Sequence, residues 1–347
     1  MQERRYYKGI DGVRTYSILG ILAMHVLLNA RFQIQGFFFK SVIPAAVYLV
    51  FLFMMVSAFA TCCGYYEKFK HCTISPEEFY KKRYAKLWPF FAVLCLLDIL
   101  VSPSKEAIYE CFANLTLVYG LLPNQNIKVI GVGWTLGVIF VFYLLFPFYC
   151  FLIERKRRAW GAFAITVVLN YVCSVYFFDA NHVCDSFTDR SNILYCACYF
   201  MAGGLIYIYR NELEEIVKKY KSAVIVMLIV SIAIYFMIGS HTITMLPLFS
   251  LTLIYSIGVQ EKGLLINKFT EFISGISFEI YLSHMVVYRV LEKMKLIKLF
   301  GDGIVSYVFV TLITLVGTIF FSVIVREIIR KIRFVFACLI DCIAERR

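Results

Sequence analysis

The sequence predicts an all-α integral membrane protein, a bundle of about ten transmembrane helices with both termini cytoplasmic. Three observations carry that prediction. Of 347 residues, 61% are hydrophobic and only 17% charged, where a soluble domain carries roughly a quarter charged. With a mean hydropathy of +0.76, a soluble globular fold, a disordered chain and a disulfide-built mini-domain are all excluded. Apolar runs of about 20 residues, the length a bilayer helix needs, recur along the chain. Lys and Arg then fall unevenly on the segments that join those runs.

The spans are predicted at 12–30, 43–62, 87–102, 131–153, 159–178, 192–209, 222–239, 242–259, 271–289 and 303–325. The first follows a basic stretch and looks like a signal peptide. No small-residue cleavage site follows it, and it carries Arg14 and His25, so it reads as a retained helix. The segment 63–86 joins the second and third spans as a basic loop. The stretch 108–122 is moderately apolar and short, and reads as re-entrant or interfacial. A polar segment, 123–128, and Gly131-Val-Gly-Trp134 lead into the fourth span. The run 223–250 breaks only at Gly239-Ser240-His241, which makes two helices with a very short turn.

With the N-terminus inside, the inner segments hold 25 of the 35 Lys and Arg residues and the outer segments 9, counting Arg289 at the outer end of the ninth span. Lys293, Lys295 and Lys298 are the main exception, and Arg14 lies inside the first span. This balance puts both termini in the cytoplasm. No internal repeat or linker interrupts the chain, so residues 1–347 read as a single transmembrane domain. The net charge of +12 fits basic cytoplasmic loops; nucleic acid is the weaker reading, because no domain-sized soluble segment is present to bind it. Most of the twelve cysteines lie in apolar runs and act as small hydrophobes. None forms a zinc-ligand pattern, and no metal is expected. Cys111 and Cys184 fall in predicted outer segments, where a disulfide between them is the minor reading beside two unpaired thiols. Asn114-Leu-Thr116 fits the short glycosylation pattern, which also occurs often by chance.

Ionisable groups inside a bilayer are costly and usually line a cavity. On the first helix, Asp11, Arg14, His25 and Asn29 share an arc of about 60°. Arg14 and His25 are about 16 Å apart along the axis, so one extended ligand could touch both. Arg14, near the cytoplasmic end, suits phosphate; His25, deeper, suits a general base. A packed helix, with Arg14 snorkelling and His25 bonded in the core, is the plainer account of the same residues. The face shared with Asp11 and Arg14 turns the reading toward function. On the ninth span Ser274, Ser277, Tyr281, His284 and Tyr288 form a second polar ribbon, and Glu279 points elsewhere. Such a ribbon is either interhelical glue or a cavity wall facing the first helix. Finally, Phe79-Tyr-Lys-Lys-Arg-Tyr-Ala-Lys-Leu-Trp-Pro89 sets Lys82 and Arg83 each one turn from Lys86 at a cytoplasmic span end. Composition alone favours lipid anchoring there, with Tyr84 and Trp88 at the interface; the functional reading is a phosphate site.

These residues resemble the acyltransferase-3 family, multi-span proteins that O-acylate surface sugars. Gly9-Ile-Asp-Gly-Val-Arg14 followed by Ile18-Leu-Gly-Ile-Leu-Ala-Met-His25 matches its first-helix pattern. Phe51-Leu-Phe-Met-Met-Val-Ser57 resembles its second-helix element, and Arg83-Tyr-Ala-Lys86-Leu-Trp-Pro89 its R-x-x-R-x-x-P stretch. Trp134-Thr-Leu with Tyr143 and Pro147, and Ser277-Phe-Glu-Ile-Tyr281-Leu-Ser-His284, match two later elements. There are departures. Lys86 stands for the second Arg, Ala58 for a usual Gly, and Gly137-Val-Ile139-Phe lacks an acid that the family often has.

The resemblance implies transfer of an acetyl group from cytosolic acetyl-CoA to a hydroxyl of a surface polysaccharide or its lipid-linked precursor. His25 would be the general base, with Arg14 and Asp11 in the same machinery and Asp11 orienting Arg14. Arg14, Arg83 and Lys86 would hold the donor phosphates. Asn29, Ser57, Trp134, Tyr143, Ser277, Tyr281 and His284 would line the acceptor side or cavity. The setting implied is a plasma membrane, bacterial inner membrane in type. No esterase domain of the SGNH type follows the last span, which implies a single-component transferase or one with a separate envelope partner. The rival reading is a transporter or flippase of an anionic or lipid-linked glycan. Polar stripes and basic inner loops fit it too, but no two-fold repeat with interrupted helices is visible.

Overall fold

The computed structural model describes residues 6–121, 131–177 and 189–344. All regular elements among them are helical: α1 (Gly9–Ala30), α2 (Phe38–Lys70), α3 (Pro76–Val101), α4 (Lys105–Leu115), α5 (Trp134–Ile153) and α6 (Lys156–Tyr176). There follow α7 (Ile193–Ile208), α8 (Arg210–Lys219), α9 (Lys221–Ile238), α10 (Thr242–Gly258), α11 (Lys268–Gly275), α12 (Ser277–Lys293) and α13 (Ile304–Ala344).

Each of the ten predicted stretches is mainly helical in its described residues. Among the described residues seven helices are long and apolar enough to cross a bilayer, or eight if α7 and α8, bent by 76°, count as one span. The shortfall from ten falls on α7, α10 and the pair α11–α12, which are short or broken. A hydropathy window sees only apolar length. Inside the bundle, protein rather than lipid surrounds such segments, so a short or interrupted helix is tolerated.

Local chemistry explains most boundaries. Ser75 caps α3 by accepting from Glu78 N at 3.1 Å, Pro76 takes the first position, and Glu77 and Glu78 face the positive end of the dipole. The predicted basic loop 63–86 is therefore mostly helix: α2 runs to Lys70 and only residues 71–75 connect it to α3. The start of α2 is irregular, with a π-turn at Phe38–Val42 and a 3-10 turn at Ala46–Tyr48 around Pro44, which has no N–H to give. The turn between α9 and α10 falls at the expected break, where Gly239 takes φ +110°.

Helix α4 doubles back along α3. Tyr84 Oη donates to the Thr116 carbonyl and Trp88 Nε1 to the Leu115 carbonyl at 3.0 Å. The two aromatics expected at the interface thus satisfy carbonyls left open at the end of α4. Asn114 is buried there and donates to Glu110 O at 2.7 Å, which leaves the glycosylation pattern without an accessible amide. Cys111 is a buried free thiol; Cys184, its suggested partner, and the polar segment 123–128 lie outside the described residues.

Helix α1 is the hub. A Cβ on Gly9 would sit 2.1 Å from the Ser256 carbonyl oxygen, and one on Gly12 2.5 Å from Leu265 Cα. Only glycine lets α1 lie this close to α10 and to the segment before α11. Thr15 Oγ1 donates to Thr270 O at 3.0 Å, which ties α1 to α11. Stacked rings join the other central helices, Phe51 on Tyr199 at 4.6 Å and Phe142 on Phe200 at 4.2 Å. The outer faces of α6 and α9 expose Ile165, Val168, Val226, Ile229 and Met237, as lipid contact requires.

The helix break between α11 and α12 lies beside α1. It frees the Gly275 carbonyl, and Arg326 Nη1 from α13 donates to it at 2.9 Å. Helix α13 itself continues well past the predicted end at 325. Its 41 residues extend about 60 Å, twice the hydrocarbon thickness.

Candidate active site

Two cavities open along opposite ends of α1. The first, of about 620 Å³, surrounds its N-terminal end. Its cationic lining is Arg14, Arg83, Lys86, Arg326, Arg330 and Arg333, against the carboxylates Asp11 and Glu279. Ser57, Tyr143 and Ser277 line it as well. The second, of about 540 Å³, surrounds the C-terminal end and is lined by His25, Asn29, Asp98, Trp134, Arg190 and Arg289 among others. Val50 and Tyr281 line both. At this junction the Thr135 hydroxyl donates to the Tyr281 hydroxyl at 3.0 Å, and Tyr281 donates to Val132 O at 3.3 Å.

His25 meets His284 beside that junction. His25 Nδ1 lies 2.8 Å from His284 Nε2, with ring centroids 5.0 Å apart. His284 Nδ1 lies 3.2 Å from the Ile280 carbonyl oxygen, one turn back on α12. That contact fixes the proton positions. A carbonyl only accepts, so His284 Nδ1 carries the proton; Nε2 of the neutral ring is then an acceptor. His25 Nδ1 must therefore donate, which leaves Nε2 of His25 unprotonated, on a ring that lines the second cavity. His284 is 1% exposed and lines neither cavity itself, so it acts through His25. Asn29 Nδ2 donates to the His25 carbonyl at 2.8 Å and holds the end of α1 on the same wall.

Arg83 sits in an aromatic cage. Its guanidinium carbon is 4.4 Å from the Tyr65 ring centroid, 4.9 Å from Tyr143 and 5.4 Å from Phe79. The residue is 8% exposed and its Nε has no hydrogen-bond partner. A buried guanidinium with an open N–H beside a cavity is a ready anion receptor. The sequence cluster around it divides: Lys81 pairs outward with Glu77 at 2.6 Å, while Arg83 and Lys86 face the cavity. Tyr143 Oη lies 3.3 Å from Ser57 Oγ on the same wall.

Asp11 does not pair with Arg14, against expectation. Tyr6 Oη donates to its Oδ2 at 2.5 Å and Ser274 Oγ to its Oδ1 at 2.7 Å. Partial burial, and then this bond to Asp11, push the Tyr6 hydroxyl up to about 12, so it remains a donor at neutral pH. Asp11 is thereby a strut between α1 and α11, and Arg14 makes no ion pair among the described residues and faces the cavity.

The expected acceptor-side set splits between the two cavities. Asn29 and Trp134 are with His25; Ser57, Tyr143 and Ser277 are with Arg14, Arg83 and Lys86; Tyr281 belongs to both. Sequence reasoning missed Arg326, Arg330 and Arg333, which read only as positive-inside tail residues. It also missed Arg190, whose guanidinium lies 5.7 Å from the Trp134 ring; nothing local marks that residue. Ile139, in the stretch that lacks the acid, is an apolar part of the first cavity's wall. Among the described residues no cluster of His, Cys, Asp and Glu is set to hold a metal.

A family model described as an acyltransferase domain matches residues 7–326. No curated protein and no solved structure matches the chain.

Proposed function

This chain belongs to the acyltransferase-3 family of membrane acyltransferases, and from that membership we propose that it moves an acetyl group from cytosolic acetyl-CoA to a hydroxyl of a cell-surface polysaccharide or its lipid-linked precursor, with His25 as general base. The observation that carries this reading is the chain from Ile280 O through His284 to His25, set where an arginine-rich cavity meets a second cavity at the other end of α1.

The arginine-rich cavity suits the donor. Arg83, with Arg14 and Lys86, binds CoA phosphates, and the pantetheine arm runs toward Tyr281. The Lys and Arg balance makes this the cytoplasmic side, where CoA is found. The acceptor comes through the second cavity, where Trp134 offers an aromatic face to a sugar ring. His25 Nε2 takes the acceptor proton as the hydroxyl oxygen bonds to the thioester carbonyl carbon. The C–S bond then breaks, and the imidazolium returns the proton to the CoA thiolate. The Tyr281 hydroxyl, supported by Thr135, would turn from its 3.3 Å bond to Val132 O to donate to the transient oxyanion. Transfer by way of an acyl-imidazole would use the same nitrogen, so both routes depend on His25. The compartment of this reading is a plasma membrane of bacterial inner-membrane type, and the chain acts there either as a single component or with a separate envelope protein.

The test is the O-acetyl content of the host's surface polysaccharide by proton NMR, in a deletion strain complemented at matched expression. Wild type should restore the acetyl signals. His25→Ala should lower transfer by about 10²-fold to 10⁴-fold, the usual contribution of a positioned base. Full restoration by His25→Ala would make His25 structural. A change in polysaccharide amount with unchanged acetylation would favour transport instead.

A further inference from the structure

The donor cavity has cations at two depths. Arg83 is buried in its aromatic cage with an open Nε. Arg326, Arg330 and Arg333 lie on α13 at the exposed rim. On a helix these three fall within an arc of about 60° and span about 10 Å, so they form one face. Arg326 Nη1 and Arg333 Nη2 each donate to a carbonyl, of Gly275 and Ala85, across the cavity mouth. Those bonds seat α13 and leave other guanidinium N–H groups available. Among the described residues Arg330 pairs with Glu327, one turn away on its own helix at 2.5 Å.

CoA also carries its anions at two distances from the thioester. Moving away from the reacting carbonyl, the pyrophosphate comes first and the ribose 3′-phosphate after it. With the thioester directed to Tyr281, the buried cation meets the pyrophosphate and the rim meets the 3′-phosphate. Resting on the CoA reading above, we infer that the arginine face of α13 is a phosphomonoester site that reads the donor's 3′-phosphate, and that it is separate from the Arg83 site. The chain is then selective for a 3′-phosphorylated acyl carrier, and Arg330 is the residue that sets the selectivity.

The experiment is calorimetric binding of CoA and of 3′-dephospho-CoA to the full chain in nanodiscs of zwitterionic lipid, with thermal unfolding followed for each variant. Wild type should bind CoA about tenfold tighter, the lower edge for charge-assisted contacts that stay partly solvated. Arg330→Gln should bring the two Kd values together by weakening CoA alone, and Arg330→Lys should keep part of the difference. Arg83→Gln should weaken both ligands alike and preserve their ratio, because the pyrophosphate is common to both. Equal Kd values in wild type would overturn the inference while leaving the donor reading intact. So would an Arg330→Gln variant that weakens both ligands alike. If the folded wild type binds neither, the CoA reading itself fails and the inference goes with it.

Discussion

Replacing His284 by leucine removes the acceptor for the His25 Nδ1 proton. The imidazole can then carry its proton on Nε2, the nitrogen that should take one from the acceptor. Acetyl transfer should fall by about 10²-fold or more in kcat, with KM for acetyl-CoA unchanged, because His284 lines neither cavity. His284→Gln keeps a side-chain acceptor and should recover part of the rate. Equal losses in the two variants would exclude control of the tautomer. The sequence assigned each histidine to a polar helix face by angular arithmetic, and the bond to Ile280 O is local to one turn. What it could not give is the 2.8 Å contact between rings 259 positions apart. Asp11 marks the same limit in reverse. Its spacing from Arg14 suggested a pair, but Tyr6 and Ser274 occupy both carboxylate oxygens, and Ser274 comes from a distant helix.

Gly9 tests the seating of α1 as an element. The carbonyl that a Cβ would meet at 2.1 Å belongs to backbone and cannot rotate away. Gly9→Val should therefore cost about 1–3 kcal/mol or more of stability and lower the thermal unfolding midpoint. Gly161→Ala on α6, where nothing lies within 4 Å, is the control and should leave the midpoint unchanged. Element types were legible because apolar length is a property of a short window. Some boundaries were legible but overridden: Ser75-Pro76-Glu77-Glu78 is a local start signal for α3, hidden by a basic stretch that reads as loop. The break between α11 and α12 had no such signal, since Gly275 is followed by Ile276 without a proline. Its freed carbonyl is met by Arg326, some fifty residues on.

At the scale of the whole molecule, the two cavities predict sidedness. Asn29→Cys lines the second cavity and Ser277→Cys the first. In intact cells a membrane-impermeant maleimide should label Asn29→Cys above the wild-type background and spare Ser277→Cys. Inverted vesicles should give the opposite pattern, with CoA protecting Ser277→Cys. Labelling of both from one side would contradict the orientation drawn from Lys and Arg. The sequence by itself determined that the chain lives in a bilayer, which stretches are helical, and which face of each helix carries polar groups. Those properties depend on composition and on the fixed pitch of a helix. Only the tertiary structure decided which faces meet, that the polar residues divide between two cavities, and that the arginines of α13 turn back to the mouth of one of them. In lipid every apolar face is equally content, so helix order and rotation follow from close packing at Gly9 and Gly12 and from scattered polar contacts, neither of which a linear pattern encodes.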